Sequence, residues 1–582
     1  MRVRTLREMK LLSLIFCSLR RDASSERASF YRLAMLCCLL LTLTAPVRSQ
    51  DEGGVFTWSY VPNASDTSQW TWMGGSSTLG NTGGRPGIYG TLGTLAAGNI
   101  PGGRYGSATW IDNSGHLWLF AGCGYDVNGV WGEPSDLWEF SPAANEWTWM
   151  GGSSSVDQPG TYGTLGTPDA GSFPGGRNSS VSWTDNRGNF WLFGGNGFAA
   201  NYAGGYLNDL WEFNPSTNQW TWWGGSKGVS QPGVYGTLGT SAADNIPGAR
   251  YLATKWTDSS GNLWLFGGFG YDSEGTLGRL NDLWEYSTST NEWEWISGSN
   301  TIADSTNRPG VYGTLSTPSV ANVPGARDRA ASWTDNNGKF WLFGGEGYDS
   351  NGQMNYLNDL WKFNQSTNEW AWMGGSSTAN QSGVYGTMGV PAAENIPGSR
   401  ELPAHWTDSS GNFWLSEGGN AKVNGSTSQW LSDLWVFNPS SNEWSWMGGS
   451  TLTNQSGVYG TLSVPDYANF PGSRGSALYW TDKNSNLWLF GGNGFDSAGN
   501  QNALNDLWVY QLPIVQAPIF SLAAGTYTTA QKVDIIERCC LPRRSLPPPH
   551  TSAARNSPLA FPHPLREYNA HADQSSGSHP FC

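Results

Sequence analysis

The tripeptide Asp-Leu-Trp recurs six times, at Asp136-Leu137-Trp138, Asp209-Leu210-Trp211, Asp282-Leu283-Trp284, Asp359-Leu360-Trp361, Asp433-Leu434-Trp435 and Asp506-Leu507-Trp508, usually behind an Asn. Each copy sits in a longer unit running from Pro-Gly-x-Arg through Trp-Thr-Asp, Trp-Leu-Phe-Gly-Gly and Leu-Asn-Asp-Leu-Trp to Asn-Glu-Trp-x-Trp. The opening arginines, Arg104, Arg177, Arg250, Arg327, Arg400 and Arg474, are spaced by 73, 73, 77, 73 and 74 residues. A period this regular makes each unit one supersecondary element that buries its apolar faces against its neighbours, so most of the 582 residues belong to a single array.

Within a unit, apolar and aromatic residues alternate over short runs bounded by Gly, Pro, Asn and Asp, which predicts strands, and no helical period appears. In the second unit four strands are expected, at Val181 to Thr184, Phe190 to Phe193, Leu207 to Phe213 and Gln219 to Trp223, with tight turns at Asp185–Gly188 and Asn214–Asn218. The 77 Gly and 34 Trp suit strands joined by turns with aromatic wedges between sheets. The sixth unit ends at Val509-Tyr510 without its Asn-Glu-Trp-x-Trp strand, yet Gln69-Trp70-Thr71-Trp72-Met73-Gly74 stands alone before the first. That orphan strand is expected to complete the last sheet and remove its exposed edge.

Gly194-Gly195 or Gly344-Gly345 ending a second strand, followed by Trp220 or Trp370 in a fourth, resembles kelch repeats over residues 68 to 510. The resemblance implies an all-β, six-bladed kelch-type β-propeller, the fold of the galactose oxidase central domain, closed here by an N-terminal strand. In the fifth unit Trp414-Leu-Ser-Glu417-Gly-Gly419 replaces Trp-Leu-Phe-Gly-Gly and reads as one residue longer, so a bulge is expected there. The stretch Ala517 to Ile535 resembles the opening of the small β-sandwich of chitobiase-like C-termini.

The ends differ in composition from the repeats. Arg32, an apolar run from Ala34 to Leu43 and Ala45-Pro-Val-Arg-Ser49 read as a signal peptide cut near Ser49, and Met35 reads as an alternative start. The run is too short for a bilayer anchor. Expected boundaries are 1–49 leader, 50–512 propeller, 513–536 sandwich fragment and 537–582 a disordered or aberrant tail rich in Pro, Arg, His and Ser. Residues 1–49 carry +6 and 537–582 carry +2, leaving −22 on the repeats out of a total of −14. So acidic a body opposes nucleic-acid binding. Of seven cysteines only Cys123 lies in the repeats, so they cannot be stapled by a disulfide within themselves.

Links from second to third strands and from fourth strands to the next unit are long, whereas the other links are tight turns. One face is therefore loop-rich, where binding residues usually sit. Comparison among the six units then separates scaffold from site. Arg104, Arg177, Arg250, Arg327, Arg400 and Arg474 start first strands; Asp136, Asp209, Asp282, Asp359, Asp433 and Asp506 start third strands, and a repeated Arg-to-Asp bond is expected. The tyrosines of Gly-x-Tyr-Gly-Thr (Tyr89, Tyr162, Tyr235, Tyr312, Tyr385 and Tyr459) recur in every unit, as packing residues do. The links that vary carry Tyr125 and Trp131, Tyr202 and Tyr206, Tyr271, Tyr348 and Tyr356, and Trp430. Exposed rings beside Asn, Asp and Ser suit sugar faces or a protein partner.

No catalytic constellation is visible. Copper chemistry of the galactose oxidase kind needs paired His and Tyr with a crosslinked Cys, and the repeats hold only His116, His405 and Cys123 without ligand spacing. The runs Asp126-Val-Asn128-Gly129 and Asp349-Ser-Asn351-Gly352 offer oxygen ligands for calcium but match ordinary turns. The chain thus reads as a secreted, monomeric, cofactor-free and metal-free binding module for extracellular glycan or protein. The alternative is a carbohydrate-active enzyme related to galactose oxidase.

Overall fold

In each unit the alternation that marks strands also sorts side chains between two sheet interfaces, so the strands assemble as sheets stacked face to face. The computed structural model describes residues 68–80, 83–302, 309–420, 429–512, 519–520 and 535–536. All regular structure there is β, with no helix among the described residues and therefore none long and apolar enough to cross a membrane. The leader, the tail and residues 55–60 lie outside the described residues, as does most of 513–536, where only Ile519–Phe520 pairs with Ile535–Ile536 in a separate unit.

Each repeat is a four-stranded antiparallel sheet taken in chain order, as in Val181–Thr184, Phe190–Phe198, Gly204–Asn214 and Gln219–Gly224. In the last sheet the fourth place is taken by Gln69–Gly74, which pairs with Leu507–Gln511. First strands lie side by side in a cycle, each against the first strand of the next repeat and the sixth against the first. Successive sheets enclose separate apolar clusters: Trp110, Trp118 and Phe120 of the first meet Phe190, Trp211 and Trp220 of the second, and Trp480, Trp488 and Phe490 of the sixth meet Leu119 and Trp138 of the first. This radial stacking is that of a β-propeller. Trp110 stacks on Phe190 at 5.2 Å and 6°, and Trp183 Nε1 donates to Trp264 O of the next sheet at 3.0 Å. Trp110, Trp183, Trp256, Trp406 and Trp480 thus carry both apolar area and a directional bond across an interface, and truncating one costs about 3–5 kcal/mol.

The paired glycines end the core of the second strand for a conformational reason. Gly194 and Gly195 take φ of 62° and 100°, and a Cβ on Gly195 would stand 2.3 Å from Ser180 Oγ. The chain then resumes as a strand. The second-to-third links are consequently hairpins, such as Phe269–Tyr271 with Leu277–Arg279, and the strand begun by the opening arginine pairs onto them. In the fifth unit no bulge is added to the register shift that the other units carry at the paired glycines. Ser416 pairs with Ala404 as Phe193 pairs with Val181, Glu417 takes the place and the left-handed backbone of Gly194 (φ 66°), and Gly418 that of Gly195. Leu431 N donates to Gly418 O as Leu280 N does to Gly268 O, so the extra residue lies after Gly419 and before Gln429.

Candidate functional site

The repeated polar residues are consumed by the scaffold. In the third unit Arg250 donates to Asp282 through both Nη atoms (2.7 and 2.8 Å), to Gly267 O and, through Nε, to Gly248 O. Asp282 also accepts from Tyr235 OH at 2.6 Å and Trp284 Nε1 at 2.7 Å. The same bidentate pair joins Arg104 to Asp136, Arg177 to Asp209, Arg327 to Asp359, Arg400 to Asp433 and Arg474 to Asp506, every side chain at 0% exposure. Burial alone would raise Asp209, yet Arg177, with Trp211 and Tyr162 donating, holds it below the usual carboxylate range. Burial, then the Asp282 carboxylate, pushes Tyr235 far up. These groups are closed to any ligand.

The variable links fare differently from the expectation of exposed rings. Tyr125 and Trp430 are buried at 8% and 9% exposure, while Tyr206, Tyr271, Tyr348 and Tyr356 are half-buried. The cause is the return hairpin, whose second strand reaches toward the next unit. Tyr206 stacks on Tyr251 at 5.0 Å and 9°, Glu133 Oε1 accepts from Asn178 at 2.9 Å, and the Trp430 ring fills the space over Gly475. Arg279 pairs with Glu346 at 2.7 Å and approaches Asp328 at 3.5 Å. These side chains latch one blade to the next.

Two rings stay open. Trp131 is 36% exposed, braced by Tyr125 at 4.9 Å and Tyr105 at 5.9 Å, and Tyr202 is 65% exposed at a hairpin tip. Ala421–Ser428 lies outside the described residues.

Around units three to five the latch layer turns ionic. Arg329 pairs with Glu346, with Glu401 at 2.8 Å, and lies 3.7 Å from Asp328. Neither Asp328 oxygen accepts a hydrogen bond, and burial pushes this carboxyl up to about 7 against the pull of Arg329 and Arg279.

Asp112, His116 and Glu139 also gather, with ligand atoms within 4.8 Å of one another. Asp112 Oδ1 already takes the amides of Ser114, Gly115 and His116, and Oδ2 takes Trp118 Nε1. His116 bonds Glu139 where Asn262 bonds Glu285 at 2.7 Å in the third unit, so the trio braces a turn. Asp126 and Asp349 likewise cap their own turns through backbone amides.

The arrangement that sequence reasoning missed lies on the axis. Two residues after each opening arginine, Gly106, Ser179, Leu252, Arg329, Leu402 and Ser476 close a ring of backbone hydrogen bonds, each N–H given to the preceding unit's carbonyl at 2.7–3.1 Å. Five residues after the arginine, Thr109, Ser182, Lys255, Ser332, His405 and Tyr479 line the channel. Lys255 Nζ donates to Ser182 Oγ at 2.7 Å, and Tyr479 OH meets His405 Nε2 at 2.8 Å. Aligning that one position across the six units would have singled out Lys255 and His405, the only members that are ordinarily basic.

No protein-family model matches the chain, and no curated protein matches it. Among solved structures, the structure of YjhT is similar over 72% of this chain and 97% of its own, at 15% identity and a TM-score of 0.43.

Proposed function

We propose that the chain is a secreted six-bladed kelch-type propeller, closed by Gln69–Gly74, that binds an extracellular glycan or protein through its loop-rich face without catalysing a reaction. The observation that carries this reading is the aromatic ledge of the first unit. Trp131 offers an exposed indole that two tyrosines hold from behind, and Tyr202 projects from the second unit. A ring fixed in advance loses little entropy on contact, which favours stacking against an apolar sugar face or a partner side chain. Closure is supported by Asn469 Nδ2 donating to Trp70 O at 3.1 Å, as Asn245 does to Trp293 O at 3.0 Å within the third unit. Secretion rests on the leader-like segment ending near Ser49.

The test is a glycan array followed by titration of any hit with the full-length mature protein and its Trp131→Ala and Tyr202→Ala variants. Each ring that makes a contact should weaken binding by about 1 kcal/mol or more with an unchanged melting temperature. Normal affinity in both variants would move the site elsewhere. Peroxide release from a sugar alcohol, with one equivalent of copper bound, would favour the oxidase-related alternative.

A further inference from the structure

The axial channel holds a cation with no counter-charge. Lys255 makes no ion pair among the described residues, in a protein whose repeats are strongly acidic. It retains accessible surface only because it faces the lumen, and enclosure by strands on all sides pushes its ammonium down to about 8, leaving it protonated at neutral pH. A desolvated ammonium is costly unless an anion or several dipoles compensate it. Ser182 is its one side-chain partner.

The rest of the ring supplies neutral polar groups. His405 Nδ1 faces Pro403 O at 3.3 Å, which assigns the proton to Nδ1 and leaves Nε2 to accept from Tyr479 OH. Burial, together with the Lys255 charge, pushes His405 down to about 3, so it adds no second cation. Burial also raises Tyr479. Arg329, the other basic group beside this cavity, is held by Glu346 and Glu401. The Thr109 hydroxyl makes no hydrogen bond to protein among the described residues and is free to donate inward.

Shape sets the size and the direction of approach. Between the two axial rings lies a cavity of 140 Å³, room for roughly five waters at liquid density. From the Lys255 ring a vestibule of 470 Å³ extends to Ile111, Thr184, Thr257, Thr334, Thr407 and Thr481, toward the face of the tight turns. At the other end the six chains converge to backbone hydrogen-bond distance and narrow the axis.

We propose that this channel is a binding site for a small oxyanion, entered from the tight-turn face and held by the Lys255 ammonium and the Thr109 hydroxyl, while Ser182 and Tyr479, whose protons go to Thr109 O at 3.3 Å and to His405 Nε2, line the site without donating to the anion. Carboxylate and phosphate share the required chemistry, and the site lies on the face opposite the aromatic ledge, so its fate is independent of the loop-face reading.

Calorimetric titration of the full-length mature protein with acetate and with inorganic phosphate, in a buffer of bulky anions, tests the proposal. Saturable one-site binding is expected for at least one probe at pH 6.5, and the tighter of the two identifies the headgroup. For acetate, the affinity should fall at least tenfold at pH 9.5, where Lys255 is neutral, and at least tenfold in Lys255→Met at pH 6.5. That variant should melt no lower than the parent in the absence of anion, since it removes an uncompensated charge. No saturable binding of either probe overturns the proposal, as does binding that survives both pH 9.5 and Lys255→Met. The pH arm decides the matter on the unaltered chain if the variant does not fold.

Discussion

Glu417 shows how much one departure from the repeat costs. It occupies the place of Gly194, Gly267, Gly344 and Gly491, in a left-handed backbone conformation that disfavours any side chain by about 1–2 kcal/mol. Its carboxyl is buried, Oε2 has no partner, and Oε1 lies 3.5 Å from an Arg474 that Asp506 already holds. Burial drives the carboxyl well above its ordinary range despite Arg474, and Asp506 and Asp433 push it further. A carboxyl raised in the folded state gives stability that is fully present below its unfolded value and lost as pH rises. Glu417→Gly should therefore raise the melting temperature, by the pH-independent backbone relief alone below about pH 4.5 and by progressively more toward neutral pH. Melting curves of both proteins from pH 4 to 8 measure this, and a gain that is flat with pH would assign the whole effect to the backbone.

At the scale of the strand and its links, the Arg-Asp-Tyr-Trp bond set decides how each blade is tied together. Asp282→Asn would leave Arg250 as a fully enclosed cation with half a partner, a loss of about 3–5 kcal/mol in urea unfolding. Tyr235→Phe removes one hydrogen bond to that carboxylate and should cost about 1.5–3 kcal/mol. Equal, small losses would mean that the pair is solvated. These residues were legible in the sequence because they meet the same fate in every unit, so repetition itself marks them as scaffold, and the four strands were legible from alternation. The return hairpins were not, since Gly-Tyr-Asp stretches such as Gly124-Tyr125-Asp126 read as loop, while their pairing depends on the strand begun by Arg104. Tyr125 and Trp430 were expected to be exposed for the same reason: what buries Trp430 is Gly475 in the next unit, and Tyr125 lies against Gly84 and Asn502, far off in sequence. The fifth unit was misread because Ser416-Glu417-Gly418-Gly419 contains the paired glycines one place late, whereas strand register is set by Trp414 opposite Trp406. Lys255 and Tyr479 escaped notice, and His405 was weighed only as a copper ligand, because single-residue differences in a first strand carry no local signal. They matter only once six first strands share an axis.

For the whole molecule, stability turns on where the ring is joined. Gln69–Gly74 contributes to the last sheet what Gln219–Gly224 contributes to the second: Trp70 packs on Tyr510 at 5.2 Å and on Trp508 and Phe470 at 6.5 Å, and Trp72 O accepts from Ser463 N at 2.8 Å. These contacts join residues more than 390 positions apart in the chain. The first and last repeats hold together by this strand ladder, by the apolar interface between their sheets and by hydrogen bonds such as Gly106 N to Ser476 O and Trp480 Nε1 to Trp118 O. Deleting residues 1–75 should leave Leu507–Gln511 as an unpaired edge, lower the melting temperature and promote association through that edge in size-exclusion chromatography. Trp70→Ala, which keeps the ladder and loses the packing, should cost about 3–5 kcal/mol. A synthetic peptide spanning Ser68–Ser76 should restore the melting temperature of the truncated chain by re-adding the missing strand, in the manner of strand complementation. A truncated protein that melts with the parent, elutes as a monomer and ignores the peptide would mean that closure of the ring lies elsewhere.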